Sequence, residues 1–202
     1  HATKSDTKDD ENIDSKDHQD NDDKDKNSNL NKNQNSDQDS DSADSEETDK
    51  QSSEEGIHTY EVITADMTWD EAYNDCIKRG GYLARINSRE EWNAIIAQIQ
   101  ASNTEACYFY VSGTRNDGGS SYYWRNENGE LYGEPLNSSA FWGNDLWLEN
   151  EPSFQDGDVT EDVMAILYMK SANRWVLNDV ANNPLETESY LSGKIAYICE
   201  YE

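Results

Sequence analysis

Apolar and aromatic residues are confined to one part of this chain, which limits where a folded core can form. No Trp, Tyr or Phe precedes Tyr60, and Ile13 and Leu30 are the only Ile, Val or Leu residues in the first 55 positions. A segment this poor in apolar side chains cannot bury enough surface to offset the entropy of ordering its backbone. We therefore expect residues 1–55 to be a disordered acidic linker rich in Asp, Ser and Asn, and residues 56–202 to form one folded domain.

An excess of acidic residues extends through the whole chain, whose 202 residues carry a formal net charge of −27. An acidic surface repels the phosphates of nucleic acids and the headgroups of anionic membranes, so we expect no nucleic-acid partner and no membrane contact by this segment. We interpret the linker as a solvated spacer, with calcium buffering or capture of a basic partner as the alternative. Its acidic runs lack the glycine turn and closing Glu of a calcium-binding hand, so any buffering is expected to be weak.

The chain begins at His1 and shows neither a signal peptide nor an apolar run of membrane-spanning length. We therefore expect a processed form or a fragment. A spacer in front of a folded domain suits display away from a cell surface. These features predict an extracellular protein, secreted or surface-anchored through a part outside this chain.

Two short helices are predicted near the start of the folded domain. Each begins with a capping box, in which a hydroxyl accepts from the amide three residues on and a Glu reaches back: Thr68 with Glu71, and Ser88 with Glu91. Apolar residues follow each box at helical spacing; they are Trp69, Ala72, Tyr73, Cys76 and Ile77, then Trp92, Ile95, Ile96 and Ile99. A Gly-Gly pair at 80–81 predicts the end of the first helix.

Short runs of β-branched and aromatic residues predict the strands. They lie at 58–63, 82–86, 108–111, 122–125, 164–169, 174–177 and 194–201. Between Arg125 and Thr160 the sequence is instead rich in Gly, Asn, Glu and Ser. A folded domain seldom keeps so long an irregular loop unless the loop is functional. The pattern indicates an α+β domain with two helices, a mostly antiparallel sheet and a large loop region.

Several motifs occur in the order found in C-type lectin-like domains, and together they resemble that family. The matching segments are Trp69-x-x-Ala72-x-x-x-Cys76, Gly81-Tyr82-Leu83-Ala84-x-Ile86-x-Ser88-x-Glu90-Glu91, Phe109–Gly113, Trp147 before Glu151-Pro152-Ser153, Glu161-Asp162, Trp175, Asn178-Asp179 and Tyr197-Ile198-Cys199-Glu200. Each segment alone is a weak match, whereas the ordered set is specific. The resemblance covers about residues 57–202. It implies two helices and two small antiparallel sheets whose ends meet, with a long ligand-binding loop.

Three cysteines are present in the folded domain. A disulfide between Cys76 on the first helix and Cys199 in the last strand would staple the start of the domain to its end, and we predict this pairing. By the chain-entropy argument so long a loop contributes roughly 4–5 kcal/mol. Cys107 is then left over, either as a buried free thiol or as one half of an intermolecular disulfide.

The resemblance also implies a set of calcium ligands. In members with a calcium-dependent site, the long loop supplies a Glu-Pro-Asn sequence and a later Glu, and the next strand supplies an Asn-Asp pair. The matching positions here are Glu151, Ser153, Glu161, Asn178 and Asp179. The same resemblance implies a cis bond between Glu151 and Pro152, and ligation by the backbone carbonyl of Asp179.

Two departures from the family pattern concern the site and its support. Ser153 stands where the family usually has Asn, and the inner disulfide of the family is missing because Val163 and Asn182 stand at or near its positions. Serine is shorter than asparagine and offers fewer hydrogen-bond donors. We therefore expect a weaker site or an altered sugar preference.

The chemistry of these residue types supports the same interpretation without the family. Calcium binds six to eight oxygens and accepts carboxylate, amide, hydroxyl and water ligands together. A sugar with adjacent hydroxyls can replace two waters on such an ion while it hydrogen-bonds to protein ligands. We expect those sugar contacts to involve four of the five positions: Glu151, Ser153, Glu161 and Asn178.

Three functions are consistent with the sequence to different degrees. The best supported is a calcium-dependent carbohydrate-binding module displayed on an extracellular spacer, with Ca²⁺ as cofactor and glycans as partners. The alternative is a calcium-independent module of the same fold that binds a protein partner, which Ser153 and the missing inner disulfide favour. An enzyme is least supported. No nucleophile elbow, zinc signature or phosphate loop occurs, and His58 lies at the domain edge.

Overall fold

The computed structural model describes residues 58–202, so the predicted disordered linker at 1–55 and the boundary at residue 56 lie outside the described residues. Two α-helices are present, α1 (Trp69–Lys78) and α2 (Arg89–Ala101). The strands are β1 (Thr59–Thr64), β2 (Tyr82–Leu83), β3 (Tyr108–Thr114), β4 (Tyr123–Arg125), β5 (Leu131–Tyr132), β6 (Gln155–Asp156), β7 (Val159–Thr160), β8 (Val163–Met169), β9 (Arg174–Val180) and β10 (Ile195–Tyr201). Within the described range, no helix is both long and apolar enough to cross a membrane.

Both predicted helices form, and the predicted capping box is complete at the N-terminus of α1 but only partly formed at that of α2. Thr68 completes the predicted box: its hydroxyl accepts from the amide of Glu71, whose carboxylate accepts from the Thr68 amide at 2.9 Å. At α2 only half of the box forms. The Ser88 hydroxyl accepts from the amide of Glu91 at 3.1 Å, but the Glu91 carboxylate accepts from the amide of Asn87 at 2.6 Å. The Glu91 carboxylate therefore binds the amide one residue before the amide that the capping box predicts.

Strand β3 lies at the centre of the sheet because it pairs on both sides. It runs parallel to β10 and antiparallel to β8 and β4, while β1 and β2 pair with β10, β5 with β4 and β9 with β8. The eight strands thus form one network rather than two separate sheets, and β6 and β7 form a separate hairpin. Six of the seven residues of β3 are buried, as expected for a strand covered on both faces.

The two ends of the domain meet at β10. Strand β1 pairs antiparallel with β10 along its whole length, and Cys76 on α1 forms a disulfide with Cys199 on β10. The predicted disulfide is therefore confirmed, with both cysteines fully buried. Cys107 is free and exposed. The expectation that Cys107 would be buried as a small hydrophobe is wrong, because it precedes β3 outside the covered part of that strand.

The two positions at or near those of the missing inner disulfide make other contacts. Val163 is buried at the start of β8. Asn182, just after β9, accepts from the Trp69 amide with its carbonyl and from the Asp70 amide with its side chain, at 2.9 Å and 3.1 Å. The segment after β9 is thereby attached to the first turn of α1. Val163 is thus packed in the interior and Asn182 is hydrogen-bonded, without a second disulfide.

The register of β8 and β9 determines where the long loop begins and ends. Asp179 pairs with Met164 and Asn178 with Ala165, so both polar residues lie near the start of β8. Before the loop, Leu148 donates from its amide to the carbonyl of Leu177 at 2.9 Å. The buried indole of Trp147 donates to the carbonyl of Leu136 at 2.8 Å. The loop from about 149 to 162 therefore starts beside β9 and ends at the start of β8.

Candidate metal centre

Three carboxylates from separate parts of the chain meet beside the end of β9. Glu151 lies in the long loop, Glu161 just before β8 and Asp179 on β9. Each offers a carboxylate oxygen that lies within 4.8 Å of those of the other two. Like charges this close repel one another unless a proton or a cation is added.

Asp179 anchors the loop to the sheet. Its carboxylate is fully buried, and Oδ2 accepts from the hydroxyl of Tyr122 at 3.0 Å and from the amide of Phe154 at 2.7 Å. The amide of Ser153 lies 3.4 Å from Oδ1. Burial raises the pKa of Tyr122, so its hydroxyl stays protonated and available as a donor at neutral pH. The carboxylate of Asp179 is therefore held by three donors, two of them in the loop.

The β6–β7 hairpin brings Ser153 and Glu161 together. It reverses the chain between them, and the amide of Glu161 donates to the carbonyl of Phe154 at 3.1 Å. The hydroxyl of Ser153, which is exposed, donates to Oε2 of Glu161 at 3.2 Å. Ser153 therefore lies next to the carboxylate cluster, although its side chain is shorter than that of the family's Asn.

Two acceptor oxygens at the site lack hydrogen-bond partners. Nδ2 of Asn178 donates to the carbonyl of Asp179 at 2.7 Å, which leaves Oδ1 of Asn178 buried and unpartnered. Oε2 of Glu151 is likewise buried without a partner. The Glu151–Pro152 bond is cis, as the resemblance implied. Buried acceptors are usually satisfied in proteins, so two orphan oxygens beside three carboxylates suit an added cation.

Four of the five predicted ligand residues line one cleft of about 200 Å³, whose walls also include Tyr108, Pro184 and Glu188. Glu151, Ser153, Glu161 and Asn178 all face it. Asp156, at its edge, is exposed. The lining includes no Lys or Arg. The cleft therefore has a negative potential, which concentrates cations.

The carboxyl groups of Glu161 and Glu151 are shifted toward their protonated forms. Burial, followed by the negative charge of Asp179, raises the pKa of Glu161 to about 7. Burial, together with Asp179, also raises the pKa of Glu151. The protein without metal thus holds less than the full charge of its three carboxylates near neutral pH.

The donor set fits a hard divalent cation. It consists of oxygens alone: three carboxylates, the amide oxygen of Asn178 and the hydroxyl of Ser153. Calcium accepts such mixed oxygen ligands, whereas zinc and copper sites usually contain His or Cys. All five positions predicted from the sequence lie together, and ion binding by them stays a prediction.

Tyr122 was not predicted as part of the site. It lies 57 positions from Asp179 and in a predicted strand, yet its hydroxyl oxygen also lies 2.6 Å from the carbonyl oxygen of Glu161, so that the two acceptors share its single proton. No local pattern marks this role, because a buried aromatic residue in a strand signal is typical of a core.

Two helices, a sheet network whose ends meet and a long loop beside β9 define a C-type lectin fold. A sequence model of the family described as the lectin C-type domain matches residues 65–179, more than half of the chain. The chain therefore belongs to the C-type lectin domain family, and the resemblance of its motifs is confirmed.

Known relatives cover different shares of the chain. Human C-type lectin domain family 4 member A is 28% identical over 121 residues, which are 60% of this chain and 44% of that protein. This chain thus spans less than half the length of that relative. Human lithostathine superposes with a TM-score of 0.51 and 15% identity, over 73% of this chain and 93% of that one. The C-type lectin CEL-I from Cucumaria echinata gives 0.51 and 15%, over 72% and 91%. At such identity the two structures show a shared fold alone.

Proposed function

We propose that this domain is a calcium-dependent carbohydrate-binding module. The observation that carries the proposal is the meeting of three carboxylates, those of Glu151, Glu161 and the buried Asp179, beside a cleft. Glu151, Glu161 and Asn178 line this cleft, and buried oxygens of Glu151 and Asn178 have no hydrogen-bond partner. A divalent cation would relieve the repulsion between the carboxylates and satisfy the orphan oxygens in one step. C-type lectin domains typically bind carbohydrates, which supports the same proposal.

The proposed roles follow from the chemistry of each side chain. Glu151, Glu161 and Asp179 would hold the ion by charge, Asn178 through Oδ1 and Ser153 through its hydroxyl. Calcium, when bound, would supply coordination for two adjacent sugar hydroxyls. Glu151 and Glu161 would accept hydrogen bonds from those hydroxyls, and Asn178 and Ser153 would donate to them.

The cleft favours neutral or basic sugars over acidic ones. Glu151, Asp156, Glu161 and Glu188 line it, with no basic side chain among the lining residues. A carboxylated or sulfated sugar would meet repulsion there from the carboxylates outside the ligand set, Asp156 and Glu188. We therefore propose neutral glycans, or glycans with amino sugars, as the ligand class.

A calcium-independent protein-binding module is the second candidate. Asp179 already accepts hydrogen bonds from Tyr122 and Phe154, so this carboxylate is satisfied in part without a metal ion. Ser153 also reduces the ligand set. Both observations fit a domain that keeps the shape of the loop for a protein partner.

We further propose that residues 56–202 act as a binding domain, not an enzyme, and that the acidic segment 1–55 serves as a spacer outside the cell. Members of this family are generally non-enzymatic and extracellular or at the cell surface. The buried Cys76–Cys199 disulfide supports an oxidising compartment, where such bonds persist.

Calorimetric titration with calcium, followed by glycan-array binding with and without chelator, tests the proposal. We expect saturable calcium uptake, and glycan binding that chelator abolishes. Glu151→Gln should weaken both, while Glu105→Ala, which removes an exposed carboxylate outside the cleft, should change neither. A wild-type protein that takes up no calcium at millimolar concentration would reject the proposal and leave the protein-binding alternative.

A further inference from the structure

The guanidinium of Arg115 links the long loop to the rest of the domain through hydrogen bonds and an ion pair. Arg115 follows β3, and its side chain is only 7% exposed. Its Nε donates to the carbonyl of Glu161 at 2.9 Å, Nη1 to that of Gly119 at 2.6 Å and Nη2 to that of Phe154 at 3.1 Å. Nη2 also lies 2.9 Å from Oδ1 of Asp162. We call this set of four contacts the Arg115 clamp.

The clamp fixes three segments relative to one another. Its acceptors lie in the turn after β3, at the start of the β6–β7 hairpin and just before β8. A guanidinium is planar and presents its N–H groups in a rigid fork, so acceptors in three segments can be bound only in one arrangement. Lysine has the same charge but lacks this fork. The Arg115 amide separately donates to the carbonyl of Asp162 at 3.0 Å, so the backbone is anchored without the side chain.

Two of the clamped residues belong to the metal centre or contact it. Glu161 is one of the three carboxylates, and the amide of Phe154 donates to Asp179. Phe154 has a φ of 67°, which non-glycine residues seldom adopt. The ring of Phe154 stacks on that of Tyr122, with centroids 6.1 Å apart. The guanidinium of Arg115 lies 5.2 Å from the centroid of the Phe154 ring. The clamp thus holds an unfavourable backbone conformation that aims the loop at Asp179.

We infer that Arg115 is a positioning residue of the metal centre, an internal cation that holds the loop in its ligand-presenting shape before a divalent ion binds. The inference rests on the proposed function, because it concerns the same calcium site. A loop that is already ordered does not draw on the binding free energy of calcium for its ordering. If only a tenth of molecules without the clamp hold the binding-competent loop, the calcium Kd rises about tenfold.

The sign of the effect separates positioning from simple electrostatics. A fixed positive charge near the site repels calcium, so an arginine that acted by charge alone would weaken binding, and its removal would lower the Kd. Positioning predicts the reverse: Arg115→Met should raise the calcium Kd about tenfold or more. Arg115→Lys, which keeps the charge, should also raise the Kd if the fork matters, and should leave it unchanged if charge alone matters.

The test uses the full chain with Arg115→Met, Arg115→Lys and the matched control Arg85→Met. Arg85 is also largely buried, stacks 3.6 Å from the Tyr82 ring centroid and pairs with Glu127, away from the loop. Amide hydrogen exchange in chelator reports the order of residues 153–161, and calorimetry reports the calcium Kd. We expect both Arg115 variants to lose protection in that segment and to bind calcium more weakly, and the control to do neither.

Different results contradict the inference and the proposed function. If the wild type binds calcium, and Arg115→Met binds it at least as tightly with unchanged loop protection, the role of Arg115 is overturned. If the wild type takes up no calcium, the proposed function has failed, and a positioning role at a calcium site fails with it. The exchange comparison in chelator then still reports whether the clamp orders the loop. Should Arg115→Met fail to fold, Arg115→Lys carries the same comparison.

Discussion

Glu161→Gln should remove a pH dependence of stability that the crowded carboxylates impose on the metal-free protein. Burial and the charge of Asp179 raise the pKa of Glu161 from 4.5 to about 7 in the folded state. The folded protein therefore binds more protons than the unfolded chain between these two values. The stability that protonated Glu161 contributes is fully present below about pH 4.5 and is lost as the pH rises through about 7.

The magnitude follows from the size of that difference. At 1.36 kcal/mol for each pH unit, the full effect is at most about 3 kcal/mol. Glu161 is partly exposed, and solvent screening reduces the expected effect to about 1–2 kcal/mol. Calcium reverses the direction, because the ion binds the ionised carboxylates and protons compete with it.

Urea unfolding in chelator, at several values between about pH 5 and pH 8, measures the effect. The hydrogen bond to Glu200 raises the pKa of His58, and this residue contributes equally to wild type and variant. The difference between the two proteins therefore reports Glu161 together with its interaction with Glu151. We expect the wild type to lose about 1–2 kcal/mol relative to Glu161→Gln as the pH rises. Parallel pH profiles would refute the argument.

Three further predictions concern the site and its frame. Asp179→Asn should lower the thermal midpoint even in chelator and abolish the rise that calcium gives the wild type, whereas Glu151→Gln should only reduce that rise; equal behaviour in chelator would contradict this difference. Ser153→Asn should keep calcium binding and strengthen or redirect glycan binding on an array, because it restores an amide donor; loss of calcium uptake would contradict the expectation. Cys76→Ser should cost about 2–5 kcal/mol in denaturant unfolding, and peptide mapping of the wild type without reductant should find Cys107 unpaired.

The helices were predictable because the signals that define them are local. The α1 box at Thr68 and Glu71 and the apolar spacing after it lie within a few residues, and the helix forms as predicted. The second box differs because the Glu91 carboxylate accepts from the amide of Asn87 and not from that of Ser88. Sequence spacing alone cannot distinguish amides one residue apart.

Strand β3 shows why strand ends were less predictable. Its apolar run stops at Val111, yet the strand continues to Thr114 because β4 and β8 pair with its last residues. A β-carbon at Gly113 would overlap the side chain of Met164, so glycine is needed for the close approach of β8. Glycine is disfavoured in strands by local preference. Tertiary pairing decides such positions.

The residues of the site also differ in this respect: some belong to a sequence motif, and others take their role only from tertiary contacts. The five ligand positions follow a family spacing and could be named by number. Their supports, Tyr122 and Arg115, act on residues 39 to 57 positions away and belong to no motif. A tyrosine just before a strand and an arginine just after one are ordinary in sequence. Only the folded arrangement gives them a role.

The side chains of the metal centre fall into two groups, according to whether other parts of the fold already hydrogen-bond to their oxygens. The carboxylate of Asp179 already stabilises the fold, since Tyr122 and Phe154 donate to it at 3.0 Å and 2.7 Å. Glu151 and Asn178 form the second group, whose buried oxygens lack partners. An ion that bound to the second group would gain ligands without breaking the contacts of Asp179 Oδ2. Because the Asp179 contacts and the Arg115 clamp both hold the same loop, the loop can keep its shape whether or not an ion is bound. The proposed calcium dependence would then lie in the unpartnered oxygens and the repulsion between carboxylates, not in a collapse of the loop.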